Sequence, residues 1–468
     1  MNELNLPRIP SPMPFLKRCA TVFKMAGVAI LLLLLLIPLG MIRSVLSERW
    51  ERRNQAVEEI TSSWGREQQI VGPVLIVPYR YAFKSWKERP IADGKIEKVE
   101  VIETAVANAY FLPAKVAIDG DIKPTHLRRG IYQAVVYDGR LNCSAEFARP
   151  DFASLRIEEK DVLWDDALVT YAIPDLRGVK ETLQLQWGSH RVALSPGSKL
   201  TDFPSGVFAR VSGLRETAGP IQSQLALTLN GSGGIRFAPV GAQNTVSLTS
   251  SWPDPSFQGA FLPADRKVTR DGFTATWQVS HYGRNYAQQW TDRDPSGLNS
   301  STVGSSLFGV NFLSGIDAYR NVERAIKYGA LFLVLVFAAF FLFEILSALR
   351  IHPFQYAIVG VAFCLFYLGL LSLSEFMAFG PAYFAAAAVT TLLIWFYCLK
   401  ALQSGRRALI ILGLLAVIFG FLYIALQLQD YSLLFGTAGL FAVLAVVIYA
   451  TRNIDWYARD RSNSQTAP

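Results

Sequence analysis

Few residues in this 468-residue chain could do chemistry, and their spacing is poor for it. The four histidines are His126, His190, His281 and His352, and the four cysteines are Cys19, Cys143, Cys364 and Cys398. No HExxH pair offers two imidazoles and a base on one helix face. No GxSxG elbow presents a serine, no Walker loop cradles phosphate, and no DxDxDG loop gathers oxygens for calcium. His126, His190 and His281 are far apart in sequence and read as surface or strand residues. Without a CxxC pair, zinc-ribbon and thioredoxin-like readings fall away. The acidic doublets Glu158/Glu159 and Asp165/Asp166 read as solvated loops, and the glycines of LNGSGG (229–234) as a tight turn. No cofactor and no metal is expected.

Two carboxylates stand out by position. Glu344 lies near the end of one apolar run and Glu375 just beyond the next. Ionisable groups at membrane depth are costly and often functional. Near an interface the cost is small, so the expectation is that Glu344 pairs locally with Arg350 or His352 and fixes a hairpin. A proton path would need acids near the middle of several helices, and the sequence has none there.

The elements that must position these groups are long apolar runs. About 20 residues at 1.5 Å each cross a hydrocarbon core of roughly 30 Å. Met25–Ile42 forms one run, and others lie near Tyr328–Leu346, Phe354–Leu373, Ala382–Cys398, Ala408–Gln427 and Leu433–Ala450. The predicted class is an α+β membrane protein. Its six-helix transmembrane module has one N-terminal helix and five C-terminal ones, with a large mainly-β periplasmic domain inserted between helices 1 and 2. The expected boundaries are a tail at 1–24, a helix at 25–43, the β-rich domain at 44–325, five helices within 326–451 and a tail at 452–468.

The net charge of +8 suggests nucleic acid only until it is located. Residues 44–325 hold 32 Lys+Arg against 31 Asp+Glu, so the excess lies in short flanks beside lipid. Arg8, Lys17, Arg18 and Lys24, then Arg350, then Lys400, Arg406 and Arg407, then Arg452, Arg459 and Arg461 fall on one side. The opposite loops, 374–381 and 428–432, hold no Lys or Arg. This is a positive-inside pattern, not a phosphate-binding surface. It puts both termini in the cytoplasm and the polar domain outside the membrane. The partners it implies are the lipid bilayer and an envelope component, with no nucleic acid.

Residues 44–64 read as an amphipathic helix with Leu46, Trp50, Val57, Ile60 and Trp64 at 3/4 spacing. From Gly72 to about Trp290 short segments rich in Val, Thr, Ile and aromatics alternate with turn chemistry, such as DG at 119–120, 138–139 and 271–272 and PG at 196–197. They predict a sandwich or barrel-like domain of one or two lobes. Pro295–Ser306 reads as a Ser/Gly-rich linker.

The run FEILSALRIHPFQY (343–356), LSLSE at 371–375 and TRNIDWY at 451–457 resembles the CreD family of bacterial inner-membrane proteins. VGPVLIVPY (71–79), PDLRG (174–178), LNGSGGIRFAPVG (229–241) and SSWPDPSFQGAFLPA (250–264) agree, so the resemblance covers about 20–457. It implies a non-enzymatic cytoplasmic-membrane protein that contributes to cell-envelope integrity. It carries no catalytic residues. Glu344, Arg350, His352, Pro353, Gln355, Tyr356, Ser374, Glu375, Asn453, Asp455 and Trp456 match its motifs as structural or interaction candidates. Trp252, Pro253 and Phe257 form an aromatic, proline-rich turn that reads as structural. Pro353 is placed to open the second helix of the hairpin, and Asn453–Tyr457 to meet water at the end of the last.

The leading reading is a membrane module that presents its β domain to an envelope protein, glycan or lipid. An apolar groove on that domain would point to lipid and a flat polar one to protein. The alternatives are a transporter or channel accessory, which needs polar cavities among the helices, and a membrane-surface enzyme acting on lipid or peptidoglycan, which needs convergent carboxylates or a histidine in one cleft.

Overall fold

The computed structural model describes residues 20–90, 96–179, 182–217, 219–294, 297–312, 318–346, 351–428 and 431–452. Arg350, Asn453, Asp455 and Trp456 lie outside them. The chain divides into two compact units, Met1–Arg52 with Ile316–Pro468 and Arg53–Gly315. Seven α-helices are described: α1 (Ala20–Trp64), α2 (Ser300–Gly304), α3 (Ala318–Leu346), α4 (Pro353–Ser374), α5 (Phe379–Ala401), α6 (Gly405–Gln427) and α7 (Ser432–Thr451).

In the helical unit, α1, α3, α4, α5 and α6 each contain a stretch long and apolar enough to cross a membrane. α7 adds the shorter apolar run Leu434–Tyr449. The helices expected at 25–43 and 44–64 are one element. Pro38 and Gly40 lie inside one continuous helix of 45 residues. Proline removes one backbone donor, but a membrane helix tolerates it because neighbouring helices restrain the backbone. The bundle core is dense with aromatics. Phe363, Phe366 and Tyr367 of α4 pack with Tyr383 of α5 and Phe419 of α6, with Phe366 and Phe419 ring centroids 4.8 Å apart. At Gly360 of α4 an added Cβ would stand 2.2 Å from Leu35 Cδ1 of α1 and 3.0 Å from the Phe337 ring of α3. The bare backbone is what lets three helices meet there.

The other unit is built from two sheets. The nine-stranded sheet runs Pro255–Gly259, Phe308–Phe312, Gly234–Phe237, Gln68–Pro90, Leu168–Ala172, Gly206–Arg210, Ser195–Pro196. Its two other strands, Ile96–Phe111 and Gln289–Thr291, join through Gln68–Pro90. The eight-stranded sheet runs Asp265–Thr269, Gly272–Ser280, Gln243–Ser250, Lys115–Arg129, Tyr132–Phe147, Ile221–Ser232, Gln184–Trp187, His190–Ala193. Pairing is antiparallel except where Gln68–Pro90 meets Gly234–Phe237 and Gln243–Ser250 meets Lys115–Arg129.

One contiguous apolar core serves both sheets, so the domain is a single lobe. Trp277 and Tyr137 from one sheet and Tyr171, Phe237 and Phe308 from the other are fully buried, and the Trp277 and Phe308 rings lie 6.0 Å apart. Strand Gln243–Ser250 shows the period of two that drives this, with Val246 and Leu248 inward and Thr245 and Thr249 outward.

Two local expectations need correction. Asp119–Gly120 and Asp138–Gly139 are not turns but lie inside strands Lys115–Arg129 and Tyr132–Phe147. Strand pairing on both sides holds these dipeptides extended. Asp271–Gly272 does turn the chain, with Gly272 at φ +143°. The described part of the expected linker, 297–306, is not one either, and Pro295 and Ser296 lie outside the described residues. Asn299 caps α2, accepting from Ser301 N and Thr302 N while the Thr302 hydroxyl accepts from Asn299 N, a reciprocal capping box.

Candidate functional site

The polar groups of the helical unit collect into two clusters. In the first, Glu344 near the end of α3 is buried. Its Oε1 forms a short ion pair with Lys24 Nζ of α1 and accepts from Ile351 N at 3.2 Å. Its Oε2 accepts from Tyr356 OH of α4 at 2.8 Å. Lys24 Nζ also donates to Ile351 O at 2.6 Å. One carboxylate thus ties α1, α3 and α4 to the connection between the last two. The hairpin is tied as expected; among the described residues the cation is Lys24 and not His352, and Arg350 lies outside them. His352 caps a helix instead. Its Nδ1 accepts from Phe354 N at 3.2 Å, and Gln355 Oε1 accepts from His352 N at 3.1 Å. With Pro353 at the first helical position this closes a capping box on α4.

In the second cluster Glu375 follows the end of α4. Its Oε1 accepts from Tyr319 OH of α3 at 3.2 Å and lies 3.8 Å from Arg49 Nε of α1. The Trp50 and Tyr319 rings sit 6.4 Å apart beside it. Ser374 turns inward and donates to Leu371 O at 2.8 Å. The two clusters share one plan of a carboxylate from the α3–α4 pair, a tyrosine from the other member, and a cation from α1. Both carboxylates sit at a helix C-terminal end, where the partial negative charge of the backbone disfavours them. The cation offsets that. Lys24 and Arg49 are about 38 Å apart along α1 at 1.5 Å per residue, slightly more than a hydrocarbon core of roughly 30 Å. The clusters therefore bracket the apolar length of the bundle.

The β unit contains a buried polar hub that the sequence alone does not single out. Asp175 accepts from Arg177 Nη2 at 2.7 Å, Arg177 Nε at 2.9 Å, Arg177 N at 3.0 Å and Arg66 N at 3.1 Å. The Arg177 hydrogen bonds hold its carboxyl down at about 2. Gln68 Nε2 bridges Asp175 O at 3.0 Å and Asn230 O at 2.8 Å. At Gly178 an added Cβ would stand 2.4 Å from Asn230 N, so PDLRG and LNGSGG pack backbone to backbone. The signal was present in both motifs, but only their contact shows what the residues do.

The other described candidates pack into the β unit or lie on its surface. Trp252 is buried, donates from Nε1 to Asp254 O at 3.1 Å, and lies 5.3 Å from the His126 ring. Phe257 packs edge-on against Phe273 and Trp277. Pro253 is exposed at the turn. His281 Nδ1 lies 3.2 Å from Ala242 O, and His190 is an exposed strand residue. Cys143 is buried, which pushes its thiol up to about 12. Among the described residues no three His, Cys, Asp or Glu side chains converge to hold a metal. The outward face of the eight-stranded sheet carries a shallow polar groove of about 520 Å³, lined by Asp119, Asn142, Gln186, Arg191 and Gln224 among others.

Comparison with known proteins agrees with this architecture. A family model described as inner membrane protein CreD matches residues 20–457. The inner membrane protein CreD of Escherichia coli (strain K12) is 30% identical over 437 residues, covering 93% of this chain and 94% of its own.

Proposed function

The chain belongs to the CreD family of inner membrane proteins, and from that premise we propose that it is a non-enzymatic contributor to cell-envelope integrity. In this reading the helices anchor a β domain on the periplasmic side, where it engages an envelope partner. One observation carries the proposal. Both carboxylates at the ends of the membrane-spanning length are consumed in clamps between helices, Glu344 with Lys24 and Tyr356, Glu375 with Arg49 and Tyr319. A conduit would use such groups along a water-filled path. Here they hold α1, α3 and α4 in register, so the bundle acts as an anchor and the contact surface lies in the β unit.

The polar groove on the eight-stranded sheet supports a protein or glycan partner over a lipid one. Its amide, acid and guanidinium groups would lose their hydration in hydrocarbon without replacement. The basic flanks at Lys24, Lys400, Arg406 and Arg407 support cytoplasmic termini.

Photoreactive residues at Gln224 and Thr245 on that outward face test the reading in living cells. Covalent capture of a reproducible envelope protein or glycan is expected. Silence at both positions in a well-expressed chain, or capture of phospholipid alone, would contradict it.

A further inference from the structure

Strand Gln68–Pro90 and strand Ile96–Phe111 are far longer than their sheet requires. Their antiparallel register runs from Leu75↔Phe111 out to Pro90↔Ile96. The neighbouring strand Leu168–Ala172 pairs only with Val71–Ile76, an isolated bridge joins Tyr79 to Val162, and Gln289–Thr291 pairs only with Ala109–Phe111. Beyond Tyr79 and Ala107, among the described residues, the two strands pair with each other alone. The result is a two-stranded ribbon of about 36 Å at 3.3 Å per residue. Such a ribbon is marginally stable by itself in water.

Its two faces differ. Paired residues point to the same side of an antiparallel ribbon. On one face an aromatic ladder runs Tyr79, Tyr81, Phe83, with centroids 6.2 and 5.9 Å apart, and Arg293 lies 5.0 Å over Tyr81. On the other, Trp86, Ile102 and Val106 are 65%, 71% and 60% exposed. Among them Lys84 and Glu100 form a diagonal ion pair at 2.5 Å. Lys84 stands opposite Ile102, and Trp86 opposite Glu100.

We propose that this Trp86/Ile102 face pairs with the same face of a second copy of the chain. The charge pattern selects the occupant. Lipid would drag Lys84 and Glu100 into hydrocarbon with the apolar residues, and a purely apolar protein surface would bury the ion pair with nothing opposite. A second copy matches both. A two-fold axis near the Trp86–Ile102 diagonal sets Trp86 and Ile102 each on its own counterpart and lays Lys84 over the partner's Glu100, and by symmetry the reverse. Stacked sheet faces lie about 10 Å apart, which suits this contact. The face is narrow, well below the roughly 800 Å² per partner of a stable soluble complex. Association is therefore expected in the membrane, where two copies share a surface, more than in dilute detergent. This inference does not depend on the identity of any envelope partner.

The test uses the full chain in native membranes. In a Cys19→Ser background, Ile102→Cys treated with a bismaleimide that bridges about 10 Å should give a cross-linked dimer, which neither that background chain nor Thr245→Cys on the outward face of the other sheet should form. Adding Lys84→Glu or Glu100→Lys to Ile102→Cys should lower the yield several-fold. Co-expressing those two variants should restore it, because each mixed pair regains both contacts between copies while the pair within each copy stays broken. Absence of the Ile102→Cys dimer at normal expression overturns the proposal. So does a yield unmoved by the charge reversals, or failure of the mixed pair to recover.

Discussion

At the scale of single residues the ionisable groups work as fasteners. Glu344 is the clearest, since one carboxylate accepts from Lys24, Tyr356 and the Ile351 amide. Replacing one partner of a buried pair leaves the other charge uncompensated, at a cost of about 3 kcal/mol. Glu344→Gln should therefore lower the unfolding midpoint of the detergent-solubilised protein markedly, while Lys24→Met with Glu344→Leu should recover much of the loss. A Glu344→Gln midpoint equal to the parent's would deny the clamp its structural role. Asp175 gives a pH-dependent counterpart. Its carboxyl sits at about 2 against an ordinary 3.8. The folded value is depressed, so its contribution is fully present above about pH 4 and fades as pH falls toward about 2. Asp175→Asn should cost roughly 2 kcal/mol at neutral pH and progressively less in acid. Chemical denaturation of both proteins across that range reads the difference directly; a gap independent of pH would contradict the assignment.

At the scale of elements, close packing sets the bundle. Overpacking a well-filled site costs about 1–3 kcal/mol. Gly360→Val should do so where α4 meets Leu35 of α1 and Phe337 of α3, seen as earlier thermal aggregation than for the parent. An unchanged aggregation temperature would mean that the helices do not meet there. His352→Ala should remove the cap on α4 at about 1 kcal/mol, a smaller effect in the same assay. The apolar helices were legible from the sequence because composition and length alone decide them. The continuity of α1 was not, since the apolar run to Ile42 and the amphipathic pattern over 44–64 read as two separate helices. Glu344 was legible as a residue of interest, but its cation was not, because Lys24 lies 320 residues away. Asp119–Gly120 and Asp138–Gly139 misled for a related reason. Their local chemistry favours turns, and strand pairing on both sides overrides it. The Asp175 hub gathers Arg66, Gln68, Arg177 and Asn230 from separate segments, which no local pattern announces.

At the scale of the whole molecule the proposed function divides the labour. A bundle whose polar groups are spent on each other anchors the chain, and a β unit with a polar outward face meets the envelope. Charge fits that division, since the excess behind the net +8 lies in the short flanks of the apolar helices and the stretch between α1 and α3 is almost neutral. The most direct test is thiol labelling in intact cells with a membrane-impermeant maleimide, using Thr245→Cys on the exposed sheet face and Ser404→Cys between α5 and α6. With Cys19 replaced by serine, the remaining Cys143, Cys364 and Cys398 are buried and should give little background. A periplasmic β unit predicts that Thr245→Cys reacts in intact cells once the outer membrane is permeable to the reagent, and that Ser404→Cys reacts only after the inner membrane is opened. The reverse order would place the β unit in the cytoplasm and contradict the proposed function at its centre.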